Sequence, residues 1–137
     1  MAGARIGWVV TKDENLFAKI ATLKDYTTIC NNAPSEILSL IALRAKEKII
    51  SNHLVRIKRN LKLLETFFEE NKHMFQWVKP RAGTIAFPKL LVDISALEFC
   101  QKVVTQANIM ILPSTVYDYD DKHIRLGFGR ENMPEAL

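Results

Sequence analysis

Cysteine is scarce in this chain. Cys30 and Cys100 are the two in 137 residues, and neither stands in a Cys-x-x-Cys or Cys/His cluster. A disulfide scaffold and a structural zinc site are thereby excluded, and a reducing cytoplasm is the expected location. Long apolar runs are also missing. The stretch Ile109-Met110-Ile111-Leu112 is far too short to cross a bilayer, so no membrane role is expected. The opening MAGARIGWVV lacks the extended apolar core and cleavage site of a secretory signal and reads instead as an internal turn running into a strand. His53, His73 and His123 show no metal-ligand spacing. There is no Gly-rich phosphate loop, no Gly-x-Ser-x-Gly elbow, no paired-carboxylate arrangement and no internal repeat. The formal net charge of +4 is small and its basic residues are scattered, which argues against a nucleic-acid partner.

What remains is globular composition, 48% apolar and 25% charged, which supports a packed core and excludes disorder. RIGWVVT (5–11) alternates and carries β-branched residues, so it predicts a strand with an unpaired edge that would seek a partner. Thr11 and Glu14 stand at capping-box spacing before a helix expected to bury Leu16, Phe17, Ile20 and Leu23. CNNAPSE (30–36) breaks that helix and starts another. From Ser35 no glycine or proline occurs until Pro80, and Ile50, Leu54, Ile57, Leu61, Leu64 and Phe68 step by three and four, which predicts one long helix over 35–73. The arginines and lysines between Arg44 and Lys62 occupy its other faces, as a solvated surface or as a phosphate-binding stripe. Residues 76–94 read as two short strands with Pro80 to Gly83 turning between them. Residues 95–107 form an amphipathic helix with Leu97, Cys100, Val103, Val104 and Ala107 inward. Two more strands follow, at IMILPS and HIRLGFG, and RENMPEAL opens a helix that stops almost at once. This order predicts an α+β fold, a small sheet with helices packed on it.

Three positions carry candidate chemistry. Arg125 lies in mid-strand, where alternation puts Ile124, Leu126 and Phe128 on one face and Arg125 with Gly127 on the other. Its guanidinium either grips a carboxylate bidentately or makes a structural ion pair with Asp118, Asp120 or Asp121. Arg5 follows the small residues AGA, a setting for a phosphate contact or for an ordinary surface arginine. Gly83 marks a turn whose amides face a ligand or simply close a hairpin.

The ordered blocks AGARIGWVVTKD, DYTTICNNAPSEILSLIAL, KPRAGTIAFP, ILPSTVY and HIRLGFGREN resemble the C-terminal part of the class I/II aminotransferases, pyridoxal-phosphate enzymes of fold type I. The resemblance covers practically the whole chain. It implies the tail of the large cofactor-binding domain over 1–32, and over 33–137 a small C-terminal domain truncated at its end. It implies that Arg5, in the Gly-x-Arg-x-Gly block, contacts the cofactor phosphate. Arg125, in IRLGF, would bind the substrate α-carboxylate, and Pro80 and Gly83 would lie near the active-site mouth. The partners implied are a small amino acid or 2-oxo acid and a second subunit in a homodimer.

The departures from that family are equally specific. Its Schiff-base lysine falls before Met1, and none of the twelve lysines present has the Ser-Lys or Ser-x-x-Lys context. LPSTVY lacks the glycine of the family's Pro-Gly-Ser loop. Both ends therefore read as cuts, and the chain alone is expected to be inactive in transamination. The alternative is a non-catalytic module, regulatory or binding amino acids, that keeps the carboxylate site.

Overall fold

Asp13, not Thr11, starts the first helix. In the computed structural model, which describes residues 2–137, helix α1 runs over Glu14–Thr27. One Asp13 carboxylate oxygen accepts the amides of Asn15 at 2.9 Å and Leu16 at 3.1 Å. Thr11 accepts only the Asp13 amide, at 3.1 Å. The expected Thr11–Glu14 capping box is displaced because a carboxylate at this position satisfies two orphan amides and also complements the helix dipole.

The chain divides into two compact units, one ending at Ile50 and the other Ser51–Leu137. In the first, the strand expected over 5–11 does not form. After a short 3-10 turn at Ala2–Ala4 the chain runs without regular structure, since a strand exists only where a neighbour completes its ladder. Trp8 and Val10 remain 69% and 86% exposed. Residues 7–11 lie along α1, with Trp8 and Val9 across a shallow cleft from Phe17 and Ile20. This cover is thin. Leu16, Phe17 and Leu23 are exposed, against the expectation that α1 buries them, because an amphipathic stripe is buried only by an opposing apolar layer.

The break at CNNAPSE is present. Asn32 accepts the Ser35 amide at 3.1 Å, and Pro34 sits in the first turn of α2 (Ala33–Arg44). The single helix expected over 35–73 is two, α2 and α3 (Lys46–Glu70), separated at Ala45 with φ −95° and ψ 13°. Hydrogen bonds from the Ala45 amide to Ile41 and from the Ile49 amide to Ala45 carry the ladder past the break, which nothing in the local sequence explains. The division between the two units falls within α3.

In the second unit the predicted stripe on α3 is buried at one end only. Leu64 and Phe68 are inside and Ile57 and Leu61 half-buried, whereas Ile50 and Leu54 are exposed. Phe68 stacks on Trp77 at 4.6 Å between ring centroids and meets Phe75 edge-on at 5.6 Å.

The strands are short: β1 (Phe75–Gln76), β2 (Ile85–Ala86), β3 (Lys89–Leu90), β4 (Leu112–Pro113) and β5 (Ile124–Gly127). The expected turn over Pro80–Gly83 does not join paired strands. β1 pairs antiparallel with β3, while β2 and β4 flank β5. Pairing with the distant β5 lets Ala86 face the core beside Ile124 and Phe128, a burial that a local hairpin would not supply.

Helix α4 (Ala96–Ala107) is capped by Ser95, which accepts the Glu98 amide at 3.0 Å. It buries Ala96 and Cys100, and burial pushes the Cys100 thiol pKa up. Leu97, Val104 and Ala107, expected inward, are exposed, so the buried stripe is narrower than the apolar one. A last short helix, α5 (Met133–Ala136), carries Pro134 in its first turn and buries Met133. The fold is thus α+β with small sheets, as expected. No helix among the described residues is long and apolar enough to cross a membrane.

Candidate functional site

β5 has two unlike faces. Ile124 and the following Phe128 point into the core at 2% and 1% exposure, while Arg125, between Ile124 and Leu126, takes the outward face that alternation assigns it. Ile85 stands opposite Gly127, Ala86 opposite Leu126 and Lys89 opposite His123, a continuous antiparallel register that sets Phe87 level with Arg125. On the other side Leu112 of β4 is its partner.

Arg125 donates from one terminal guanidinium nitrogen to the Tyr117 hydroxyl at 2.8 Å, and its Cζ lies 5.9 Å from the Tyr117 ring centroid. Among the described residues it makes no ion pair. Of the three aspartates that compete for it in sequence, Asp120 is held by His123, whose Nδ1 lies 2.6 and 2.8 Å from the two carboxylate oxygens. The aspartate-paired alternative for Arg125 is therefore not realised here.

The loop that supplies Tyr117 is pinned from inside. Ser114 is fully buried, donates its amide to the His123 carbonyl at 2.8 Å and its hydroxyl to the Asp120 carbonyl, and accepts the His123 amide at 3.2 Å. A 3-10 turn over Ser114–Tyr117 follows, closed by Asp118 in the left-handed region at φ 51°. The missing glycine of the Pro-Gly-Ser pattern leaves this turn well formed. Phe87 packs on the loop, edge-on to Tyr117 and stacked on the His123 ring at 5.1 Å and 11°.

Burial raises the Asp120 pKa, but hydrogen bonds from His123 and the Lys122 amide, the His123 charge and Ser114 outweigh it and set the carboxyl at about 2. Its folded value lies below the ordinary 3.8. The stabilisation is therefore present at pH well above the ordinary value and is lost progressively as pH falls from there through about 2. Carbon-detected NMR titration should show the Asp120 carboxyl changing with a midpoint near 2, with the Lys122 and His123 amides following; an ordinary midpoint would rule the clamp out.

Gly83 holds φ 80°, where a side chain is strained, and leads into β2. It lies outside the sheet, before β2 and past the Gly127 end of β5, and so not beside Arg125. Arg5 sits in the other unit, exposed, with φ 53° after the small residues Gly3 and Ala4. The sequence singles out the two arginines and the glycine as candidates; it does not single out Tyr117, Phe87 or the Asp120–His123 pair, which the structure brings around Arg125 and its loop. The signal available was the aromatic, acidic run VYDYDDKH immediately before Ile124 and Arg125.

A family model described as aminotransferase class I and II matches residues 1–137. The chain is 26% identical over 144 residues to the HTH-type transcriptional regulator NorG of Staphylococcus aureus strain USA300, a match covering 97% of this chain and 31% of that protein. It thus spans about a third of the length of the curated relatives it matches. A PLP-dependent aminotransferase from Streptococcus suis superposes with a TM-score of 0.88 at 24% identity, over 98% of this chain and 36% of that one. Aspartate aminotransferase from Thermotoga maritima gives 0.81 at 20% identity, over 99% and 34%. These structures share the fold. Matched along its whole length by the family model, the chain belongs to the class I and II aminotransferases.

Proposed function

We propose that this chain is the C-terminal part of a pyridoxal-phosphate-dependent aminotransferase, which moves an amino group between an amino acid and a 2-oxo acid. Residues 1–32 are then the tail of the large cofactor-binding domain and 33–137 the small domain. The observation that carries this reading is the Arg125 guanidinium, outward on β5, held by a neutral hydroxyl and by no carboxylate among the described residues. Such a fork matches a substrate carboxylate in shape and charge.

The cofactor fits this chain at its phosphate end alone. Arg5 offers an exposed guanidinium on a turn of small residues, and no lysine has the Ser-Lys context that would hold the aldehyde. When bound, pyridoxal phosphate supplies the electron sink for cleavage at Cα. Arg5 would anchor its phosphate. Arg125 would hold the α-carboxylate and so orient the Cα–H bond, an alignment that contributes strongly to rate. The 137-residue chain by itself binds the acid group without transaminating, and the complete enzyme is a homodimer.

Calorimetric titration with L-alanine tests this. Saturable binding is expected, weakened at least about tenfold in Arg125→Ala, since a charged hydrogen-bonded contact is removed. Equal affinities in the two proteins would remove the basis of the proposal. With pyridoxal phosphate, no visible band should survive dialysis.

The similarity to a protein named as a transcriptional regulator favours a second reading, in which the same carboxylate site senses an amino acid without turning it over. Amino-group transfer by the full-length gene product separates the two.

A further inference from the structure

We propose that Tyr117 is the positioning residue of Arg125. Its hydroxyl fixes one edge of the guanidinium and leaves the other edge free to receive the two oxygens of a carboxylate. The proposal rests on the reading of Arg125 as a carboxylate binder.

Arginine has many rotamers, and an unrestrained guanidinium is free to turn toward any acid within its reach. Here one N–H is committed to the Tyr117 hydroxyl at 2.8 Å, and the remaining guanidinium N–H groups have no partner among the described residues. A phenol suits this task because it accepts from the guanidinium without neutralising it, so the positive charge stays available.

The position of the phenol is set independently of the arginine. Tyr117 is the last residue of the 3-10 turn anchored by the buried Ser114, and its ring rests edge-on against Phe87 at 6.3 Å and 79°. Phe87 in turn stacks on His123, which Asp120 clamps. Phenylalanine in place of Tyr117 would keep this packing and remove only the acceptor.

The test uses the 137-residue chain, with pyruvate as the probe. Wild type, Tyr117→Phe and Arg125→Ala are titrated by NMR, and the Arg125 guanidinium resonances are followed without ligand. In the wild type the hydrogen bond slows rotation and keeps the Nη signals distinct; in Tyr117→Phe they should merge, with pyruvate binding about tenfold weaker and the melting temperature unchanged. A merely structural tyrosine would lower the melting temperature and leave the Nη signals distinct. Wild-type affinity in Tyr117→Phe, or distinct Nη signals in it, overturns the positioning role while the loss of binding in Arg125→Ala upholds the carboxylate reading. Unaltered binding in Arg125→Ala, or no saturable binding to the wild type, overturns both.

Discussion

Phe68→Ala is expected to lower the melting temperature of the Ser51–Leu137 unit by roughly 15 °C. Phe68 lies near the C-terminal end of α3, 2% exposed, and touches three other rings: Phe67 edge-on, Phe75 edge-on and Trp77 face to face. Truncation removes both its transfer free energy and its dispersion contacts, because neighbours that span a helix and a strand do not collapse into the space. Such changes cost about 3–5 kcal/mol, and each kcal/mol moves the transition by roughly 4–8 °C in a domain of this size. Scanning calorimetry with near-ultraviolet circular dichroism as a second probe measures it. A shift below about 5 °C would mean that these aromatics are not the centre of the core.

Asn60→Ala carries the second large effect, and it reaches the site. Asn60 is buried completely on α3, and its side-chain amide donates to the carbonyls of Phe128 at 2.9 Å and Arg130 at 2.7 Å. It ties the long helix to the chain just past β5, three residues beyond Arg125. Removing the amide leaves the buried Phe128 carbonyl unpaired, at about 1–3 kcal/mol, loses the partly exposed bond to Arg130 and adds a small void. We expect a loss of about 2–4 kcal/mol in urea denaturation. Hydrogen exchange should localise the damage: the Phe128 amide, which donates to the Thr84 carbonyl at 2.8 Å, exchanges faster, and the carboxylate binding proposed for Arg125 should weaken with it. Unchanged exchange at Phe128 would show that this end of β5 holds without Asn60.

Local patterns in the sequence are reliable here where one residue's own chemistry decides the outcome. The break at Asn32 and Pro34, the burial of Cys100 and the outward turn of Arg125 follow from hydrogen-bonding capacity, helical periodicity and period-two alternation over a few residues. Patterns fail where burial or pairing must come from elsewhere. The strand expected at 5–11 does not form, and Leu16, Phe17 and Leu23 on α1 stay exposed. The turn at Gly83 looked like a hairpin because its flanks are adjacent in sequence, yet β2 pairs with β5 and β1 with β3.

By itself the sequence determined the α+β class, the break between α1 and α2 and the family, because these depend on short-range spacing and on residues whose chemistry is distinctive. The tertiary structure alone decided which strands pair, how much of each apolar stripe is buried, and what Arg125 meets. A guanidinium beside three aspartates has an electrostatic choice that spacing does not resolve. Here the loop's own packing resolves it, by giving Asp120 to His123 and a neutral hydroxyl to Arg125.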